Sequence, residues 1–166
     1  MYNNKRIRVL HIIDSDRIGG VQELIKGLVK YYNRDKFYFE LWVLRGINKE
    51  FRDLLISFGL AVKVLNYGYR QLWRLLAPPL SKKDQRFDIL HTHINASFVW
   101  GTFWRKNIAD KMLFSIPHTR DQCSTVGFYL YKIISRKDAF FFALSKTVEN
   151  DLVDIGVKKN KIITVP

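Results

Sequence analysis

The chain has 166 residues, 48% of them hydrophobic and 26% charged, enough for one domain with a buried core and too apolar for a disordered segment. Lys and Arg number 28 against 15 acids, a net charge of +13, which favours an anionic partner such as a membrane leaflet, nucleic acid or a phosphorylated ligand. The single cysteine, Cys123, excludes an internal disulfide framework and fits a reducing cytoplasm, and no run reaches the ~18 apolar residues of a membrane span.

In chain order, the apolar run Ile7–Ile13 predicts a first strand. After it comes "DSDRIGG", then a pattern in which Val21, Leu24, Ile25, Leu28, Val29 and Tyr32 follow the i, i+3, i+4, i+7 rule of an amphipathic helix. Further strands are expected at Phe37–Leu44, Ala61–Leu65, Asp88–His91, Met112–Ile116, Ala139–Leu144 and Ile162–Val165. Leu72, Leu75 and Leu76 suggest a second helix near Pro78 and Pro79, Phe98, Val99 and Phe103 a third, and Val148, Leu152 and Ile155 a fourth closed by Gly156. Most strand runs are continuously apolar instead of alternating, as parallel strands covered on both faces are. The expectation is a single α/β domain: a doubly wound, mainly parallel, Rossmann-like sheet of about seven strands with helices on both faces. His11 falls inside the first strand and reads as a core residue.

In open α/β sheets ligands bind beyond the carboxyl ends of the strands, near the point where strand order reverses. That directs attention to Asp14–Gly20, His91–Asn95, Pro117–Gln122 and Ser145–Lys146. Gly19 and Gly20 let a backbone approach a ligand, and a helix start behind them offers free N–H groups to a phosphate; a plain strand-to-helix turn explains the same residues. The segment is neither a G-x-G-x-x-G fingerprint nor a P-loop. His91 and His93 share one face of an extended segment. With His118 and Cys123 they match no common zinc spacing, and no acidic ligand accompanies them, so no metal site is expected. His91 reads as a hydrogen-bonded strand-end residue, whereas His93 and Asn95 are expected further out, within a substrate's reach. His118 and Arg120 offer a titratable ring and an anion partner, and Ser145 stands where a helix N-cap belongs.

Basic residues cluster as well. Between Tyr69 and Arg86 lie Arg70, Arg74, Lys82, Lys83 and Arg86 against the lone acid Asp84, with Tyr67, Tyr69 and Trp73 interleaved. A second group holds Phe128, Tyr129, Tyr131, Lys132, Arg136 and Lys137. Such faces suit an anionic membrane or ligand; a solvated face with inward-packed aromatics is the plainer alternative. No RNA-binding signature accompanies them, so nucleic acid is not expected.

Four ordered segments, "VLHIIDSDRIGGVQELIKGLVKYY", "FDILHTHINASFVWGTFWRK", "MLFSIPHTR" and "FFALSKTVENDLVDIGVKKNKIITVP", resemble the N-terminal, acceptor-side half of a family-four retaining glycosyltransferase of GT-B architecture. The resemblance implies transfer of a sugar from a UDP- or GDP-linked donor to a polysaccharide- or lipid-linked acceptor, without metal or other cofactor. It implies that Gly19 and Gly20 approach the donor diphosphate, that His118 lies by the transferred sugar as the catalytic candidate, that His93 and Asn95 face the acceptor side, and that Ser145 opens a cleft-edge helix. In the family a second domain follows the final proline and supplies most of the nucleotide pocket. On this reading the 166 residues are one inactive half of an enzyme of the cytoplasm or the inner membrane face. The competing expectation is a membrane-docking or nucleotide-binding Rossmann module without transferase activity.

Overall fold

The computed structural model describes residues 5–15, 19–67, 86–93, 95–116, 131 and 139–165. They form β1 (Ile7–Ser15), α1 (Gly19–Tyr31), β2 (Phe37–Gly46), α2 (Lys49–Ser57), β3 (Ala61–Val64), β4 (Phe87–His93), α3 (Asn95–Ile108), β5 (Ala109–Ile116), β6 (Ala139–Ala143), α4 (Lys146–Asp154) and, after a 3-10 turn at Lys159–Lys161, β7 (Ile162–Thr164). The helix expected around Leu72–Leu76 lies outside the described residues.

The seven strands make one sheet in the order β3-β2-β1-β4-β5-β6-β7, and every adjacent pair is parallel. The chain winds outward from β1 through β2 to β3, then returns to the other side of β1 and winds outward through β7. The reversal therefore falls between β1 and β4, where a crevice opens at the carboxyl edge of such sheets.

Strand residues alternate between two cores. Leu10, Ile12, Trp42, Leu44, Leu90, Met112 and Phe114 meet Phe98, Trp104 and Ile108 of α3 and Val148 and Leu152 of α4. Val9, Ile13, Phe39, Leu41 and Val43 meet Val21, Ile25 and Val29 of α1 and Phe51 and Leu55 of α2. Both faces are covered, which is why the strands read as continuous apolar runs. Each expected strand is present, with β4 running two residues past its expected end and β5 starting three residues early.

Local signals account for the element ends. Asn48 caps α2 by accepting the Glu50 and Phe51 N–H groups, Ser145 caps α4 by accepting the Val148 N–H at 3.2 Å, and Gly156 follows α4 with φ +88°. Gly101 brings α3 onto the sheet: a β-carbon there would lie 2.5 Å from Thr92 Cγ2 and 2.8 Å from Met112 Cε. The aromatics Tyr67 and Tyr131, which belonged to the two basic clusters, are instead buried. Tyr67 packs on Trp100 and Trp104, and Tyr131 packs on Phe98 and Phe141, so neither is available to a membrane surface.

Candidate functional site

The crevice at the β1–β4 reversal is bordered by the start of α1 on one side and the start of α3 on the other. Gly19 and Gly20 are the first two residues of α1; they belong to the helix and do not precede it as a loop. Their position puts the free N–H groups of a helix start at the carboxyl edge, a natural seat for an anion. Gly20 is exposed, has no positive φ, and a β-carbon added to it would meet nothing within 4 Å. Neither backbone conformation nor packing among the described residues requires glycine there. Gly27, in mid-helix, is equally open, so openness alone marks no site; at Gly20 it coincides with the helix start and the switch point.

Beside that helix start, a groove of ≈ 1030 Å³ runs between α1 and α2 and is lined by Ser15, Gln22, Lys26, Arg45, Asn48 and Glu50 among others. Arg45 Nε stands 3.0 Å from Asp14 Oδ1, and Lys26 Nζ 2.8 Å from Glu23. Burial raises the Asp14 pKa, and the Arg45 charge partly opposes the rise. The carboxyl end of β2, Arg45–Asn48, was not among the edges singled out from the sequence. The rule that located the other edges applies to it equally.

Across the switch point, β4 ends in a histidine cluster. Register sets His11 beside His91, and His93 follows two residues on, so all three rings share the α1 side of the sheet. His11 Nδ1 and His93 Nε2 are 3.0 Å apart, and His91 Nε2 is 2.7 Å from Ser115 Oγ on β5. All three rings are buried. Burial lowers the His11 pKa to about 4, and burial followed by the neighbouring histidines drives His91 and His93 well below the ordinary imidazole value. The cluster is neutral at physiological pH.

The expectation that His93 lies out on a substrate-facing loop is therefore corrected. It is the last residue of β4 and only 1% exposed, because the strand continues past His91 and period-two alternation turns His93 back into the sheet. Its carbonyl accepts a hydrogen bond from the Ser97 hydroxyl, which ties the strand end to the first turn of α3. Asn95 begins α3 at the crevice edge. Ser145 sits at the carboxyl end of β6 with its hydroxyl engaged as the α4 cap. His118, Arg120 and Cys123 lie outside the described residues. His91 is a hydrogen-bonded strand residue, as expected, whereas His11 turned out to be more than core filling. Its partners come from 80 or more positions away, and no local pattern announces them.

An all-parallel doubly wound sheet with helix starts gathered at its switch point defines a Rossmann-like domain of the kind that makes up one half of a GT-B glycosyltransferase. The profile of Glycosyltransferase Family 4 matches residues 18–166, and the chain belongs to that family. Among curated proteins, none matches significantly. The fold is similar to crystal structures of Anabaena HepE. The structure with UDP and glucose has a TM-score of 0.71 at 14% identity, covering 96% of this chain and 44% of that one. The structure with UDP-glucose gives 0.72 at 15% identity, covering 96% and 43%. The chain thus spans less than half the length of the HepE chain it resembles.

Proposed function

We propose that this chain is the acceptor-side domain of a retaining glycosyltransferase. In this reading the enzyme moves a sugar from a UDP- or GDP-linked donor to a hydroxyl of a glycan or lipid-linked acceptor, in polysaccharide or glycolipid assembly. Family membership across residues 18–166 supports the reaction class. Overlap of 96% of this chain with less than half of HepE, a protein solved with UDP-glucose, supports the division of labour. In this reading a second domain of the enzyme holds the nucleotide.

The observation that carries the assignment is Gly20: a helix start at the switch point whose missing side chain leaves space that none of the described residues fills. Backbone N–H groups at Gly19 and Gly20 meet the donor diphosphate there and stabilise the charge that grows as the sugar–phosphate bond breaks. His118 orients the transferred sugar, Arg120 pairs with an anionic group, and Ser145 holds the neighbouring helix start. The acceptor approaches past Asn95 and along the groove of Gln22, Lys26, Arg45 and Asn48. His93 serves by anchoring the strand end from which α3 departs. The reaction needs no cofactor or catalytic metal on this reading.

The excess of +13 suits work at an anionic inner membrane face, where a lipid-linked acceptor resides. Among the described residues no helix is long and apolar enough to cross a membrane. The reading is tested by sugar transfer from labelled UDP- and GDP-sugars by the full-length protein. Transfer that survives His118→Ala and Gly20→Val unchanged would overturn the residue assignment.

A further inference from the structure

Three imidazoles beneath the β1–β4 switch point are left without a part in sugar transfer, and their geometry suits a different task. We propose that His11, His91 and His93 form a structural binding site for a borderline divalent transition cation, zinc above all, that clamps β1 to β4. The proposal stands apart from the transferase reading, since it concerns the fold and not the reaction.

Four observations carry it. The ligands come from two rigid, hydrogen-bonded strands in register, His11 beside His91 with His93 two residues beyond, so the site is built before any ion arrives. One nitrogen from each ring lies within 4.8 Å of the others, and His11 Nδ1 and His93 Nε2 are only 3.0 Å apart. Ligands on a tetrahedral zinc with Zn–N of about 2.0–2.1 Å stand about 3.3 Å apart. The widest-spaced nitrogens must therefore close by up to about 1.5 Å, and a water as fourth ligand completes the tetrahedron.

The donor set is imidazole only. Imidazole suits zinc, copper, nickel and iron, whereas magnesium and calcium require oxygen ligands; no carboxylate belongs to the cluster. The rings are buried, and a neutral imidazole is the form that offers a lone pair to an ion. Ser115 Oγ, 2.7 Å from His91 Nε2, is placed to orient that ring from outside.

A clamp here has a structural consequence. β1 leads into the Gly19 helix start and β4 into the Asn95 helix start, so an ion joining them fixes the spacing of the two sides of the crevice. The rival arrangement is a metal-free chain of hydrogen-bonded histidines.

The test uses the full chain, purified without a histidine tag, stripped with EDTA and titrated with Zn²⁺. Bound metal is measured after gel filtration, stability by thermal unfolding, and Co²⁺ serves as an optical probe. The proposal predicts about one equivalent of zinc, a raised Tm, and the intense visible bands of tetrahedral cobalt. His91→Asn and His93→Asn should each weaken binding by more than the about 10–100-fold that loss of an outer-shell partner costs, Ser115→Ala by an amount within that range, and Cys123→Ser not at all. Sub-stoichiometric uptake with no change in Tm would overturn the proposal, as would uptake that both histidine variants leave intact. If a histidine variant does not fold, the cobalt spectrum of the unaltered chain decides, a pale octahedral spectrum refuting the site.

Discussion

Replacing Gly101 with alanine puts the α3–sheet contact under direct strain. The new β-carbon would lie 2.5 Å from Thr92 Cγ2, 2.8 Å from Met112 Cε and 3.5 Å from Leu90 Cδ2, against the about 3.5–4.0 Å at which carbons pack without repulsion. Met112 Cε ends a flexible side chain and can swing aside. Thr92 is β-branched, stiff at χ1 and 1% exposed on a central strand, so α3 must lift by roughly an ångström. Overpacking of this kind costs about 1–3 kcal/mol. Alanine returns about 1 kcal/mol through its better helix propensity. The net expectation is a loss of up to about 2 kcal/mol, or at most roughly 4–8 °C in Tm for a domain of this size, measured by thermal and urea unfolding of the purified chain. Thr92→Ser removes the offending methyl, so the double variant should recover about 1 kcal/mol of coupling relative to additivity. A Gly101→Ala chain more stable than its parent, with the double variant additive, would refute the claim that Gly101 sets the helix–sheet distance.

Two further outcomes concern the α4 region. Ser145→Ala removes the oxygen that accepts the Val148 N–H and should cost about 1 kcal/mol by urea unfolding, with Ser145→Asp restoring most of it; equal stability of all three chains would show that the cap is idle. Glu149 accepts from Lys146 at 2.8 Å and from the Thr164 hydroxyl at 2.6 Å, and these hydrogen bonds lower its pKa below the ordinary 4.5. A carboxyl with a depressed folded pKa contributes stability that is complete above its unfolded pKa and lost as pH falls through the folded one. Unfolding followed on the acid side of that value should therefore be less steeply pH-dependent in Glu149→Gln than in the parent, and matching pH profiles would contradict the link between α4 and β7.

Much of this architecture is legible in the residues. Seven apolar runs mark the seven strands, because a two-faced sheet needs apolar side chains in both directions. The α1 and α4 patterns are equally plain. Helix α2 escaped because only Phe51 and Leu55 of its nine residues are buried, which leaves too thin a stripe for periodicity to find; its Asn48 cap was the available signal.

The edges of a parallel sheet can be found locally, which is why Gly19, Gly20, Asn95 and Ser145 all fall at strand or helix ends. What local pattern does not contain is the neighbour across the sheet. The His11–His91 pairing depends on β4 returning beside β1, a long-range choice, so a core-like histidine, a hydrogen-bonded strand-end histidine and one expected further out became a single buried cluster. His93 was misplaced outward for a related reason: a polar residue near a strand end reads as the start of a loop until its buried partners are known.

The most direct test of the central claim follows transfer from labelled UDP- and GDP-sugars by the full-length protein, comparing the parent with Gly20→Ala. Because that β-carbon meets none of the described residues, alanine should leave Tm unchanged or raise stability, by up to about 1 kcal/mol of helix propensity. Transfer should fall by about 10²-fold, the scale of losing one oxyanion-type contact. Unchanged transfer by Gly20→Ala, or no transfer from any nucleotide sugar by the parent, would contradict the account.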